Sequence, residues 1–249
     1  MRILLTVNPN KAAAVSFAEE LKAGLIARGH TVTADPGADL CVVLGGDGTL
    51  LRNLPALLRA GAPVLPVGFG RVSYFAACGK ENCFAAVDAF AAGKAKVVGM
   101  RLLGCTVRSG SGEGSLFALN EIVLHRSADP RALRMQIRRN SACERPADLV
   151  VGDGLLIGTA IGSGAYNRSC GGIRLLPEDS RFTLTPICPY STTTAPLALP
   201  KDTRLRVTLE AAPGVTVTAD SCRILPVQGS TELDIFMTET DLPLCQPLA

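Results

Sequence analysis

The stretch DLCVVLGGDGTLLRNLPALLRAG, Asp39 to Gly61, contains the transition that decides the fold. A nearly continuous apolar run ends in two glycines, and a leucine-rich helical pattern follows after an aspartate, a glycine and a threonine. Strands that are apolar on both faces are typical of parallel sheets covered by helices on both sides. The carboxyl end of such a strand, just before a helix, is where open α/β sheets bind their ligands.

The segments around this stretch alternate in the same way between strand and helix patterns. RILLTV (Arg2 to Val7) and HTVTA (His30 to Ala34) predict strands, and a helical segment between them ends at Gly29. Further on, the buried run APVLPVGFG (Ala62 to Gly70) is followed by the helical ENCFAAVDAFAAGK (Glu81 to Lys94). The chain is therefore predicted to be an α/β protein whose N-terminal domain holds a Rossmann-like parallel sheet.

After about Gly99 the pattern becomes mainly β. KVVGMRLLGCTVRSGSGEGSLFALNEIVLHR predicts two strands around a Gly/Ser turn, and most later segments also have strand patterns. We expect an α/β domain over residues 1–98 and a mainly β nucleotide-binding domain over 99–230. A C-terminal strand and tail over 231–249 can return to the N-terminal domain.

Composition narrows the function. With 249 residues, 47% hydrophobic and 19% charged, the chain is predicted to be globular, and it contains no run of the ~18 apolar residues that a membrane span needs. Its net charge of +3 is spread thinly, and the basic cluster Arg131 to Arg139 alternates with apolar residues like one face of a strand. The chain has 4% aromatic residues and no tryptophan for base stacking. The dispersed charge and the low aromatic content argue against a nucleic-acid partner but not against a phosphate-bearing small molecule. Nine cysteines without metal-ligand spacing predict reduced thiols in a cytoplasm and no protein-held metal.

The glycine-rich turn favours phosphate chemistry. Freed backbone N–H groups and the positive end of a helix dipole suit a phosphate, and Gly45, Gly46 and Gly48 let it approach closely. Asp47 would repel phosphates unless it holds a cation or takes a proton from an attacking hydroxyl, and both tasks belong to phosphoryl transfer. Arg52, one helical turn further on, can offset the charge. The alternative is a plain strand-to-helix turn in which Asp47 and Thr49 cap the helix.

Two later blocks add polar residues suited to a nucleoside. In FALNEIVLHR, Asn120 and Glu121 supply an amide and a carboxylate for hydroxyls or a base edge. GDGLLIGTAIGSGAYNRSCGG, Gly152 to Gly172, runs from an acidic turn through a strand into a Gly/Ser turn and a short helix. With the GGDGT loop, these blocks resemble the NAD kinase family, and the resemblance extends over nearly the whole chain, including LTPICP (Leu184 to Pro189).

The resemblance implies transfer of a phosphoryl group from ATP or polyphosphate, with Mg²⁺, to the 2′-hydroxyl of the adenosine ribose of NAD, which gives NADP. It implies that Asp47 activates this hydroxyl, and that the site is completed across subunits of a homodimer or homotetramer. The implied nucleotide-binding residues are Gly45, Gly46, Gly48, Thr49, Arg52, Asn120, Glu121, Asp153, Thr159, Ser163, Gly164, Ala165, Tyr166, Asn167, Arg168 and Ser169.

The chain also departs from the family pattern. The family's TPTGSTAY is TAIGSGAY here, so Ala160, Ile161 and Gly164 replace a proline and two threonines, and Gly68 stands where asparagine is usual. The late aspartate-glycine-glutamine is reduced to Asp220. Two alternatives therefore stay open: a catalytically impaired dinucleotide-binding regulator, and another GGDGT-loop kinase acting on a lipid or a sugar phosphate.

Overall fold

The computed structural model describes residues 1–35, 37–70, 73–127, 129, 131–140, 147–210 and 214–247. The chain divides into two units. The first contains Met1–Met100 and the C-terminal segment from Asp241, and the second contains Arg101–Thr240. Residues 248–249 of the predicted tail lie outside the described residues.

The first unit alternates strands and helices, as predicted. Its elements in chain order are β1 (Arg2–Val7), α1 (Ala12–Ala27), β2 (Thr31–Thr33), β3 (Leu40–Gly45), α2 (Asp47–Ala60), β4 (Val64–Gly68), β5 (Cys78–Gly79), a 3₁₀ turn (Lys80–Asn82) and α3 (Cys83–Ala91). The strands run parallel in the order β4-β3-β1-β2, and β5 lies beside the end of β4. The predicted Rossmann-like sheet is confirmed.

Burial explains why these segments adopt their structures. Every residue of β3 is buried, which fits a central parallel strand covered on both faces. Helix α1 buries Phe17, Leu21 and Leu25, which recur every four residues on one face. Helix α2 ends at Gly61, whose φ of 66° is the left-handed conformation that glycine adopts most easily.

The strand order creates a switch point in the first unit. From β1 the chain forms β2 on one side, then crosses to place β3 on the other side of β1. The carboxyl ends of β1 and β3 therefore lie side by side while their connections leave in opposite directions. In doubly wound sheets this position forms the ligand-binding crevice.

The second unit is mainly β, also as predicted. Its elements are β6 (Val97–Ser109, which begins in the first unit), β7 (Gly112–Ala118), β8 (Glu121–Arg126), β9 (Leu133–Arg139), β10 (Asp148–Gly152), β11 (Gly154–Gly158), a 3₁₀ turn (Gly162–Gly164), α4 (Tyr166–Ser169), β12 (Phe182–Ile187), β13 (Ser191–Thr192), β14 (Leu197–Leu199), β15 (Leu205–Leu209), β16 (Val215–Ala219), β17 (Arg223–Val227) and β18 (Thr231–Cys245).

Two antiparallel arrays share the core of the second unit. One has the order β14-β12-β11-β8-β16-β17, and the other runs β13-β10-β9-β15-β18 with the β6–β7 hairpin beside β18. Both contribute side chains to one hydrophobic cluster. In β9, Leu133, Met135 and Ile137 are buried while Arg134 and Gln136 between them are exposed, so the predicted alternation of this basic segment is confirmed.

Strand β18 belongs to both units. Its first residues, from Thr231 to Ile235, pair antiparallel with β15 in the second unit. Near its end, Leu244 lies opposite Val64 of β4 and is parallel to it in the first unit. None of the described helices combines the length and apolarity needed to cross a bilayer.

One predicted strand is wrong. The segment after the Gly/Ser turn was expected to be a single strand, but it forms β7 and β8, which belong to different arrays. The break lies at Leu119 and Asn120, whose backbone N–H groups donate to the Asp220 carboxylate instead of to a neighbouring strand. The Asn-Glu pair therefore occupies a turn at the start of β8.

Candidate functional site

Three turns meet at the carboxyl edge of the parallel sheet. The backbone N–H of Asn8, just after β1, donates to the carbonyl of Leu44 in β3 at 3.0 Å. The backbone N–H of Phe69, just after β4, donates to the carbonyl of Gly45 at 2.8 Å. The turns after β1, β3 and β4 thus lie side by side at the switch point of the sheet.

The glycine loop is shaped by Thr49. A Cβ on Gly45 would lie 2.2 Å from Thr49 Oγ1, so any larger residue at position 45 would displace the Thr49 side chain. Thr49 is buried, and its hydroxyl accepts a hydrogen bond of 3.4 Å from the backbone N–H of Gly46, which precedes the helix. The capping interpretation therefore holds for Thr49, whose hydroxyl is occupied within the loop.

The capping interpretation fails for Asp47. Its carboxylate does not bond to the N-terminus of α2 but reaches the segment after β4. Oδ1 accepts hydrogen bonds from the Ser73 hydroxyl at 2.7 Å and the Phe75 backbone N–H at 3.1 Å. Oδ2 accepts one from the Tyr74 backbone N–H at 2.9 Å. Sequence reasoning identified Asp47 but missed these three partners, which lie 26 to 28 residues further along the chain.

Two cations flank the same loop. The Lys11 ammonium donates to the Phe69 carbonyl at 3.3 Å and lies 3.7 Å from the position of a Cβ on Gly46. An Arg52 guanidinium nitrogen lies 3.3 Å from the position of a Cβ on Gly48. Within the described ranges, neither cation has a carboxylate within 4.0 Å. Lys11 was missed by sequence reasoning, although its place directly after the first parallel strand is a usable signal.

In the second unit, Asp220 holds the turn that carries the Asn-Glu pair. Its fully buried carboxylate accepts from the backbone N–H groups of Leu119 at 3.0 Å, Asn120 at 2.7 Å and Glu121 at 3.2 Å, and from Arg223 at 3.0 Å. Burial raises the pKa of Asp220, and these donors oppose that rise. The φ of 52° at Asp220 is uncommon for a residue other than glycine, so this turn is held by its contacts.

Glu121 is the exceptional carboxylate of this turn. It is only 4% exposed, and its Oε2 accepts no hydrogen bond from any described residue. Burial, with a smaller effect from nearby Asp220, raises the pKa of Glu121 to about 7. Buried polar atoms are nearly always hydrogen-bonded, so a lone acceptor indicates a place for a donor that the described residues do not supply.

Three polar residues predicted to bind nucleotide are buried within the Gly/Ser turn. Thr159 Oγ1 donates to the Leu119 carbonyl at 2.7 Å and accepts from the Gly162 N–H at 2.9 Å. Ser163 Oγ donates to Ala160 at 2.6 Å and accepts from the Leu175 N–H at 2.9 Å.

Asn167 is equally occupied. Its amide nitrogen donates to the carbonyls of Ser163 and Ile173, and its Oδ1 accepts from Thr183 and Thr185. With no exposed surface and every side-chain hydrogen-bonding position used, Asn167 fixes the turn from within. The geometry gives Thr159, Ser163 and Asn167 a role in shaping the site, and direct contact with nucleotide stays a prediction for them.

The remaining residues of this turn are exposed. Gly164, Ala165, Arg168 and Ser169 face solvent, and Tyr166 is 41% exposed. No atom lies within 4 Å of a Cβ placed on Gly164, so the threonine that the family pattern has there would fit.

Asp153 lies apart from this cluster. It precedes β11 and forms an ion pair with Arg126 at 2.7 Å, which lowers the pKa of Asp153. In the β8–β11 pair, Gly154 lies opposite His125 while Gly158 lies opposite Glu121. Asp153 is therefore at the other end of this strand pair from Glu121, about 16 Å away along the strands at ~3.3 Å per residue.

Family models match most of both units. The ATP-NAD kinase N-terminal domain matches residues 32–95, and the ATP-NAD kinase C-terminal domain matches residues 119–246. This chain belongs to the NAD kinase family. The two matches include the glycine loop and the Asn120 turn of this NAD kinase family member, whereas Lys11 lies outside them.

Individual proteins similar to this chain are also named NAD kinases. The chain is 31% identical over 221 residues to the NAD kinase of Nitratidesulfovibrio vulgaris, which covers 83% of this chain and 77% of the relative. It is 33% identical over 180 residues to the NAD kinase of Moorella thermoacetica, covering 72% of this chain but only 57% of that longer relative, less than two thirds of its length. Its fold is similar to the crystal structure of yeast NADH kinase complexed with NADH, with a TM-score of 0.86, 19% identity, and coverage of 100% of this chain and 84% of that one.

Proposed function

We propose that this chain is an NAD kinase that transfers a phosphoryl group from ATP or polyphosphate to the 2′-hydroxyl of the adenosine ribose of NAD. The observation that carries the proposal is the Asp47 carboxylate, fixed by three hydrogen bonds beside a glycine loop at the switch point of the sheet. In a member of the NAD kinase family, this is the group expected to accept the proton of the attacking hydroxyl.

The phosphates of the donor would lie along the glycine loop. Backbone N–H groups at the start of α2 suit anions, and the small glycines allow close approach. Lys11 and Arg52 lie beside Gly46 and Gly48 without carboxylate partners within the described ranges, so their charges are available to phosphate oxygens. Lys11 adds a contact for the donor from outside the matched family segments.

Mg²⁺ would arrive with the donor. The described residues include no group of three His, Cys, Asp or Glu side chains suited to hold a metal. Mg²⁺ in kinase sites is held largely by substrate phosphates and water, with one or two carboxylates, so a dedicated cage is not required. When bound, the cation would neutralise charge developing on the transferred group.

The dinucleotide would use the second unit. Asn120 and the lone acceptor of Glu121 suit ribose hydroxyls, and exposed Tyr166 suits stacking against a base. We further propose a homodimer or homotetramer in which Asp153 serves a neighbouring subunit's site, which fits its separation from Glu121. A cytoplasmic location fits the eight free cysteines among the described residues.

The decisive test is direct. The purified 249-residue chain is incubated with NAD, Mg²⁺ and either ATP or polyphosphate, and NADP is measured with an NADP-specific dehydrogenase. Formation of NADP supports the proposal and identifies the donor. Calorimetric binding of NAD without turnover would favour a dinucleotide-binding regulator, and phosphorylation of a lipid or sugar phosphate alone would favour another GGDGT-loop kinase. Absence of binding to NAD, NADH and NADP at millimolar concentration would refute both NAD-based interpretations.

A further inference from the structure

We propose that Ser73 is a positioning residue that determines which oxygen of Asp47 receives the proton. The inference rests on the proposed function. Of the three described groups that donate to the Asp47 carboxylate, Ser73 Oγ is the one side-chain donor and makes the shortest contact, 2.7 Å to Oδ1. The other two donors are the backbone N–H groups of Tyr74 and Phe75.

Ser73 fills one of the acceptor positions of the Asp47 carboxylate. An ionised carboxylate offers about four lone-pair positions, two on each oxygen. Ser73 and Phe75 occupy both positions on Oδ1, and Tyr74 occupies one on Oδ2. One position on Oδ2 is left by these donors. Ser73 therefore closes Oδ1 and leaves Oδ2 as the oxygen offered to an incoming hydroxyl.

The same contacts fix the orientation of the carboxylate. The backbone N–H groups of Tyr74 and Phe75 donate to Oδ2 and Oδ1 of Asp47, and the Ser73 hydroxyl is a second donor to Oδ1. The two oxygens become inequivalent, and rotation about the Cβ–Cγ bond is opposed. General-base catalysis requires the base within hydrogen-bond reach of the proton, so a fixed Oδ2 contributes through geometry.

The chemical step balances without any further reactant. The acceptor oxygen forms a bond to the transferred phosphorus, the bond from that phosphorus to the donor's bridging oxygen breaks, and the hydroxyl proton moves to Asp47 Oδ2. The leaving group is ADP, or polyphosphate shortened by one unit. The proton then passes from Oδ2 to solvent, and Ser73 keeps its own proton throughout.

The experiment compares Ser73→Ala, which removes the donor, with Ser73→Thr, which keeps a hydroxyl. We expect Ser73→Ala to lower kcat about tenfold, the size of a lost hydrogen bond to a charged group, while KM for NAD changes less than about twofold. Ser73→Thr should recover kcat to within about threefold. Ser127→Ala is the matched control, since Ser127 Oγ donates to the Gly214 carbonyl at the same 2.7 Å.

A kinetic double-mutant cycle decides whether Ser73 acts through Asp47. In an Asp47→Asn background, Ser73→Ala should change the residual kcat less than about twofold. An equal loss in both backgrounds, or an unchanged kcat in Ser73→Ala, overturns the assignment of Ser73 alone. A wild-type chain that forms no NADP overturns the proposed function and this assignment together. Unfolding midpoints of all variants separate a kinetic effect from loss of fold.

Discussion

Replacing Asp47 by asparagine tests the proposed base and has consequences that the hydrogen bonds make specific. The carboxylate accepts three donors on two oxygens, whereas an amide accepts on one oxygen and donates from its nitrogen. If the amide oxygen faces Ser73 and Phe75, the amide nitrogen faces the Tyr74 N–H, and two donors oppose each other. The flipped amide leaves the Phe75 N–H facing a donor instead.

The magnitudes follow from these contacts. Loss of general-base help typically lowers turnover by ~10²- to 10⁴-fold. The Tyr74 N–H is exposed and water can replace its lost acceptor, so the free energy of unfolding should fall by about 1–2 kcal/mol, below the ~3 kcal/mol upper end for hydrogen bonds to charged groups. For a chain of this size, that lowers the melting temperature by roughly 2–8 °C and leaves the fold intact.

The assay measures NADP formation at saturating NAD and ATP together with a thermal unfolding curve. Asp88→Asn is the matched control, because Asp88 is exposed and makes only a 3.9 Å contact with Arg28. This control should keep wild-type kcat and a stability within about 0.5 kcal/mol. An Asp47→Asn variant that is folded and retains more than about a tenth of wild-type kcat would refute the base assignment.

Three further predictions concern the residues around the substrates. The pKa of Glu121 is raised from 4.5 to about 7 in the folded chain. The contribution of Glu121 to the free energy of unfolding is therefore complete below pH 4.5 and is lost as the pH rises through 7. Glu121→Gln should therefore raise the free energy of unfolding at pH 8 by up to about 3 kcal/mol and change it little at pH 4.5; urea midpoints at both pH values check this. Lys11→Met should raise KM for ATP by about tenfold or more with KM for NAD nearly constant, and an unchanged KM for ATP in initial-rate measurements would count against Lys11. Gly164→Thr should lower KM for NAD by up to about tenfold, because the threonine fits in the open space at position 164 and its hydroxyl adds one hydrogen bond to bound NAD. Titration calorimetry with NAD should show an increase in affinity of the same size.

The parallel sheet of the first unit was predictable because its signals are local. Strand β1 lies at the predicted residues, and β3 and α2 differ from prediction by one or two residues. Strand β5 was not predicted, since two residues are too short to show a period. The break between β7 and β8 was also missed. Its cause is Asp220, which is 100 residues from Asn120 in sequence, and no local pattern records such a contact.

In the candidate site too, local sequence signals were predictable and contacts between distant residues were not. The GGDGT pattern identifies Asp47 because a carboxylate among glycines before a helix is chemically unusual, but it says nothing of Ser73, which approaches from after β4. In the Gly/Ser turn, residue type leaves the role of a polar side chain open. Asn167 has the residue type of a ligand contact, yet the turn folds around it and uses all of its hydrogen-bonding positions. Residue type alone cannot distinguish a polar group that binds a ligand from one that holds the ligand's surroundings.

The two key carboxylates differ in what they need from a ligand. Asp47 is already satisfied by three donors, so its geometry is established before any substrate arrives. Glu121 keeps a buried oxygen without a donor among the described residues, which costs free energy until a ligand hydroxyl supplies one. Ligand binding at Glu121 relieves that cost only when a ligand donor meets the carboxylate oxygen as an acceptor. Because the pKa of Glu121 is about 7, the fraction of Glu121 in the ionised, accepting form depends on pH near neutrality. The pH dependence near neutrality should therefore appear in KM for the dinucleotide, while the chemical step keeps the geometry that the segment from Ser73 to Phe75 gives to Asp47.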